Sequence, residues 1–466
     1  MKKILFFLFI NILFSSNLLA ETKKYKNSFT SFNKWLSVNG YNQYIEKSEN
    51  EKCKSFDKGD TNWYYNNCDQ ANYKNNLNIK THPNKWGIHY PSNPNRDSLI
   101  YYFYKYQFSH LTGDPNTYQW GQIEIKPSNN PYEFKFKIQE DKFVKKQIKT
   151  KGILSYLYFQ DENVLIDEIS PKERLGEFVN NETKLMSMSM NKSVTSYIMG
   201  HAICEGYIDG IDSKINDWPL IENTLYYDQK LINLLNMAAG DQKYINEFKY
   251  NPNSILANLS YEYETNTIMN TINRYFKNTT QAKKNPYNYS GFITQLLLNY
   301  IKHKTGDNFE DLLKHIFQNK VKNKYSVNFN ELKYTLDKYG NGHPMVRMTR
   351  FDYLRLAKAI MDDYQNDTCV GKYLKEIHKR RIPKKYNENK NEPEFNRTKS
   401  YGGQFHMDYP GLKNKVVFGM GGYGGQAILI DVENSRIVVL NSLHFNNGKY
   451  KYNVKKLLID PIKKGR

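Results

Sequence analysis

The chain has 466 residues, with 67 Lys and Arg against 47 Asp and Glu for a formal charge of +20, and 39% of it is hydrophobic. This length suits two to three domains at roughly 150 residues each and can bury a large core. The basic residues, 39 Tyr and 25 Phe are dispersed, with no block of five or more like charges. The charge therefore does not read as a nucleic-acid platform or a binding tail.

The first twenty residues read as a secretory signal. Lys2 and Lys3 form a basic start, Ile4 to Leu19 is apolar, and Leu18-Leu19-Ala20 ends in a small residue where cleavage is expected. An uncleaved membrane anchor is disfavoured, because the stretch is shorter than the ~20 residues a span needs. No Cys follows the cut and no later segment is apolar for long enough to cross a membrane. A soluble periplasmic or secreted protein is expected, with no stable membrane insertion once the signal is removed. Residues 21–144 carry no motif and are taken as an N-terminal extension of unknown role. Within them Cys53 and Cys68 are expected to close a small disulfide loop. Gln122-Ile123-Glu124-Ile125 and Phe134 to Ile138 alternate with period two around Pro127-Ser128-Asn129-Asn130-Pro131, which predicts a β-hairpin.

From about residue 145 the pattern changes. Gly152 to Phe159 and Val164 to Ile169 are apolar runs separated by Gln160-Asp161-Glu162-Asn163, which predicts two antiparallel strands and a tight turn. Next comes Ser187-Met188-Ser189-Met190-Asn191-Lys192-Ser193-Val194-Thr195-Ser196, running into an apolar helix that Gly206 is placed to end. Ser189-x-x-Lys192 puts a hydroxyl and an amine on one helical face. That is the arrangement of a serine nucleophile activated by a lysine base. Ser187 has the wrong spacing to Lys192 and reads as structural. Cys204 falls on this helix and reads as a small core residue. A helix is expected over 352–363, capped by Thr349. Strands are expected over 401–407, 415–419, 426–432 and 436–443.

The run Ser-Met-x-Lys-Ser-Val-Thr-Ser resembles the active-site helix of the penicillin-recognising serine hydrolases, a superfamily of class C β-lactamases, D,D-peptidases, esterases and nylon-oligomer hydrolases. Leu231 to Gly240, Phe292 to Gly306 and Met348-Thr349-Arg350-Phe351-Asp352 resemble further ordered motifs of that superfamily. The resemblance covers residues 145–466. It implies an α+β, β-lactamase/transpeptidase-like mixed fold, with an antiparallel sheet built from both ends of the domain, flanking helices and a helical subdomain.

By resemblance, Tyr289-Ser290-Gly291 matches the second motif, with Tyr289 sharing the proton of Ser189 and Lys192 and Tyr287 as the competing candidate. Gly291 replaces the Asn that contacts substrate in the family. Met420-Gly421-Gly422 takes the place of the third motif, where Met420 replaces a Lys or His. Backbone N–H groups of Ser189 and Tyr423 are expected to form the oxyanion hole. Met420 carries no charge, which favours neutral esters or linear amides over anionic β-lactams.

Gly419 to Gly424 also satisfies G-x-G-x-x-G, but that fingerprint must open a helix and this one runs into strand-like Ala427 to Ile430. No G-x-S-x-G elbow and no H-E-x-x-H occurs. His343 and His406 are isolated candidates to line the cleft. The expected activity is acyl-enzyme hydrolysis of a small-molecule ester or amide without metal or organic cofactor. The alternative is a silent relative that binds peptidoglycan fragments or another ligand.

Overall fold

The computed structural model describes residues 122–176, 179–244, 268–283, 286–330, 346–384, 398–412, 414–422, 424–443 and 451–465, with short strands at 81–83, 89–91, 334–335 and 338–339. The expected signal segment, Cys53, Cys68, His343 and Tyr423 lie outside the described residues. The chain divides into two units, 1–119 and 120–466. In the first, Thr81–Pro83 pairs antiparallel with His89–Pro91. The second begins upstream of the expected boundary at 145, so its sheets include residues 122–136.

In this second unit the main elements are β1 (Gln122–Ile125), β2 (Lys135–Phe136), α1 (Lys142–Thr150), β3 (Ile153–Gln160), β4 (Asn163–Ile169), β5 (Leu185–Met186) and α2 (Asn191–Cys204). There follow α3 (Leu231–Leu235), α4 (Gly291–Thr305), β6 (Val327–Asn330), β7 (Val346–Met348), α5 (Arg350–Gln365) and α6 (Cys369–Lys379). The chain ends in β8 (Ile382–Pro383), β9 (Ser400–Gly402), β10 (Phe405–Met407), β11 (Val417–Gly422), β12 (Gln426–Asp431), β13 (Arg436–Ser442) and α7 (Asp460–Lys464).

Nine strands make one sheet in the order β8-β9-β10-β11-β12-β13-β3-β4-β2. The expected α+β fold, with its sheet drawn from both ends of the domain, is present. β3 and β4 turn on Asp161 and Glu162, both left-handed at φ 46° and 68°, the backbone of a two-residue hairpin loop that matches strand twist. β13 pairs with β3 along its length. Apolar side chains of these strands, including Tyr156, Tyr158, Val438 and Leu440, meet Val144 and Ile148 of α1 and Leu457, Leu458 and Ile462 near the C-terminus in one core. The expected strand over 401–407 is two strands, because Gly403 and Gln404 (φ 54° and 66°) turn the chain between β9 and β10.

The expected hairpin over 122–138 does not form. β1 joins a separate four-stranded sheet, β1-β6-β7-β5, while β2 runs parallel to β4 at the edge of the large sheet. The reason lies between them: Ser128 N–H donates to Asn323 O and Tyr132 N–H to Lys322 O, so the proline-bracketed segment is bound to another part of the chain instead of folding back.

Two helix ends follow their local chemistry. Thr349 Oγ1 accepts from Asp352 N–H at 3.2 Å and caps α5. Gly206 (φ 78°) closes α2, with Gly206 N–H donating to Ile203 O and Tyr207 N–H to Ala202 O at 3.0 Å each, the paired bonds of a Schellman end. Cys204 is not a lone core residue; it forms a disulfide with Cys369, tying the end of α2 to the start of α6 across 165 residues. No helix among the described residues is long and apolar enough to cross a membrane.

In the chain-entropy model a loop of this size is worth about 5 kcal/mol. Cys204→Ser is expected to lower unfolding free energy by about 3–5 kcal/mol in denaturant titration, and an effect under about 1 kcal/mol would show that the crosslink does not constrain the unfolded chain.

Candidate active site

The site begins where β5 leaves its sheet. Ser187 N–H donates to Val346 O at 2.8 Å, and Ser187 Oγ accepts from Val346 N–H at 3.1 Å. Ser187 is thus a structural tether to β7, as expected. Met188 then adopts φ 49°, a left-handed conformation that costs free energy for a non-glycine residue and is held only by its surroundings. The bend starts a tight helical turn, Met188–Met190, that runs directly into α2. Ser189 is the second residue of that turn, so its backbone N–H has no partner within the helix.

α2 is buried along most of its length, but Ser189 and Lys192 at its mouth remain half-exposed. Lys192 Nζ lies 3.3 Å from Ser189 Oγ. The rest of the helix is pinned from the far side: Ser193 Oγ donates to Gln404 O, Thr294 Oγ1 of α4 donates to Gln404 Oε1, and Gln404 N–H donates to Leu235 O of α3. Gln404 fastens three helices at the β9–β10 turn. Nothing in the sequence marks it beyond its place after two glycines.

Tyr289 comes to Lys192, with Nζ 4.8 Å from the ring centroid, and is 36% exposed. It meets the amine with its ring face; its hydroxyl has no hydrogen bond to Ser189 or Lys192 among the described residues. Tyr287 lies behind it, 4.9 Å from Tyr401, and burial pushes its phenol well above the usual value. Of the two candidates the structure therefore brings Tyr289 to the lysine. Ser290 Oγ caps α4 by accepting from Phe292 N–H at 3.2 Å. Gly291 opens that helix, and a Cβ there would have nothing within 4 Å. The missing Asn leaves open space at that position.

β11 passes close by. A Cβ on Gly422 would sit 2.8 Å from Ser187 O, so only glycine lets the strand lie against the Ser187–Ser189 turn. β10 pairs with β11 only at His406 opposite Gly419, which leaves residues 420–422 without a partner strand on that side. The Gly-rich run is strand and turn, not the start of a helix. Met420 is fully buried. It belongs to the core beneath the site, so the preference for neutral esters expected from its side chain has no contact to rest on.

A basic cluster unanticipated as a group stands behind Tyr289. His406 stacks on the Tyr289 ring at 6.4 Å and meets Tyr401 edge-on at 5.1 Å. Lys384 Nζ is 3.2 Å from His406 Nδ1. Burial first, then the charges of Lys384 and Lys192, push the His406 pKa well below the ordinary histidine value. The imidazole is held neutral, with Nδ1 accepting from Lys384. His406 was visible as a lone histidine, whereas Lys384 is one of many lysines in the sequence.

No family model matches the chain, and no curated protein does. Solved structures do. A Bacillus anthracis protein assigned as a 6-aminohexanoate-dimer hydrolase superposes with a TM-score of 0.56 at 13% identity, over 84% of this chain and 97% of that one. This chain has the β-lactamase/transpeptidase-like fold. A D-stereospecific amidohydrolase from Streptomyces is also similar, at a TM-score of 0.48 and 12% identity, over 70% of this chain and all of that one; the fold assignment rests on the first. The strand-to-helix turn at Ser189 lies against β11 at Gly422, and Lys192 joins that turn to the Tyr289 ring.

Because cationic neighbours disfavour a second charge, His406 is expected to remain neutral at about pH 6.5, the ordinary histidine midpoint. Lys384→Met should raise its midpoint in an NMR titration of the imidazole nitrogens. An unchanged midpoint would separate Lys384 from the histidine.

Proposed function

We propose that this chain is an exported serine hydrolase that cleaves a small-molecule ester or amide through an acyl-enzyme. The observation that carries the reading is the 3.3 Å approach of Lys192 Nζ to Ser189 Oγ at a strained turn, with the Tyr289 ring against the same amine. A serine hydroxyl is a weak nucleophile and needs an adjacent base. With the amine unprotonated, Lys192 takes the Oγ proton as Oγ bonds to the substrate carbonyl carbon. The developing oxyanion accepts from Ser189 N–H and from the N–H of Tyr423, which follows Gly422. Tyr289 carries the proton to the departing alcohol or amine, and the carbon–leaving-group bond breaks. Water, deprotonated by the same groups, then attacks the acyl-enzyme, releasing the acid and restoring Ser189.

The Bacillus anthracis protein of this fold is assigned as a 6-aminohexanoate-dimer hydrolase, which supports a hydrolase reading. Export is supported by the signal-like first twenty residues and by the Cys204–Cys369 disulfide, since such bonds persist in oxidising compartments. A second reading, a silent protein that binds a ligand in the same cleft, is favoured by one observation: the Tyr289 hydroxyl makes no hydrogen bond to the serine or the lysine.

Steady-state hydrolysis of a p-nitrophenyl short-chain ester separates the two. Wild type should turn over and Ser189→Ala should not. Lys192→Ala should lower kcat about 10²–10⁴-fold, the usual contribution of a general base, and Tyr289→Phe should cost as much or less. Loss of activity in Tyr287→Phe with retention in Tyr289→Phe would move the proton transfer to Tyr287. No turnover by wild type on esters or amides would favour the binding reading.

A further inference from the structure

Behind the Tyr289 loop sits a buried carboxylate that the proposed chemistry does not use. Asp241 is 1% exposed and follows Gly240 (φ 75°) at the end of the α3 segment. Its Oδ2 accepts from Tyr226 Oη–H at 3.0 Å, while Oδ1 is buried without a partner. Asn288, between Tyr287 and Tyr289, has a buried Nδ2 that is also without a partner. Its amide, after the Tyr226 hydroxyl, favours the charged carboxylate against the opposing effect of burial. The two segments are already joined by backbone: Asn288 N–H donates to Met237 O at 2.8 Å, and Ala282 N–H to Gly240 O at 3.2 Å.

We infer that Asp241 is a pH-sensitive positioning residue, whose ionised carboxylate draws in the Asn288 amide and so seats Tyr289 against Lys192. This rests on the hydrolase reading for its consequence in catalysis, though not for the coupling itself. The chemistry is simple. A carboxylate has four acceptor sites and Asn288 offers two N–H donors. A bond between them satisfies two buried groups that otherwise stay unpaired. The protonated acid is a weaker acceptor and releases the amide. Among the described residues, the groups facing Asp241 are the Tyr226 hydroxyl and the Asn288 amide. The Tyr226 ring continues the contact onto Phe276 and Phe292, the second residue of α4. Lys243 lies two residues on along the same segment, with its Nζ over the Tyr244 ring. Burial raises the Asp241 pKa from 3.8 to about 6, against lowering by Tyr226 and Asn288.

The sign for stability follows from that rise. Protonated Asp241 suits the folded state, so its contribution is present below pH 3.8 and is lost as pH climbs through about 6. Relative to Asp241→Asn, wild type should lose thermal stability over that window.

The coupling is tested on the full chain by a ¹³C-tyrosine NMR titration from pH 4.5 to 8, with the Tyr289 signal assigned by its absence in Tyr289→Phe. The Tyr289 shift should move with a midpoint near 6 in wild type and lose that transition in Asp241→Asn. Asn288→Ala should keep the stability trend yet remove the Tyr289 transition, which covers the case in which Asp241→Asn folds poorly. On an active substrate, Asp241→Asn should hold kcat roughly tenfold low across the range, with KM little changed and no acid limb near 6. A Tyr289 transition that persists in Asp241→Asn or Asn288→Ala overturns the inference. Absence of turnover in wild type, with the NMR coupling intact, would sink the hydrolase reading and leave the coupling standing.

Discussion

The pairing of β13 with β3 is the constraint on which the structure depends. Residues almost 300 positions apart run antiparallel from Arg436 opposite Gln160 to Ser442 opposite Ile153. Buried polar groups fix the register: Ser155 Oγ donates to Asn441 Oδ1 at 3.0 Å, and Ser442 Oγ donates to Gly152 O at 2.9 Å. A slip by one residue would turn every core side chain to the other face and orphan these groups. Closing the sheet this way fixes β12 and β11 in turn, and β11 supplies the surface against which the Ser187–Ser189 turn is set. The position of Ser189 is therefore a consequence of joining the two ends of the domain.

The site shows how close packing and polar satisfaction make geometry. Gly422 lets the strand approach Ser187 O, Met188 takes the strain of the bend, and Gln404 pins α2 to α3 and α4 from behind. The charges are arranged with equal economy. Arg350, almost wholly buried at the start of α5, is paired with Asp167 of β4, and Asp352 accepts from Arg355 at 3.0 Å. Lys192, by contrast, meets the Ser189 hydroxyl and the Tyr289 ring, and its charge acts on the His406 imidazole.

Much of this was legible in the sequence because it is local. Turn residues at 161–162, the Thr349 cap, the Gly206 helix end and the Ser189-x-x-Lys192 spacing each act over a few residues, where side-chain chemistry dictates backbone. The failures all involve partners far away in sequence. Alternation at 122–125 was real, but pairing with residues 327–330 decided its sheet; 134–138 buries only Phe134, and its strand joins residues 163–164 instead. Cys204 looked like a core residue because its partner, Cys369, is on another helix. Met420 lies on the expected strand, yet its side chain is fully buried, which local sequence does not reveal. Lys384 and Asp241 carried no local signal at all; only the fold brings them beside His406 and Asn288.

The central claim is that Ser189 is a nucleophile activated by its surroundings, and intact-mass analysis after exposure to a fluorophosphonate probe tests it most directly. The account predicts one adduct per chain on wild type, its absence in Ser189→Ala, and much slower formation in Lys192→Ala. An adduct that persists in Ser189→Ala, or a wild-type chain that stays unlabelled while folded, would contradict it.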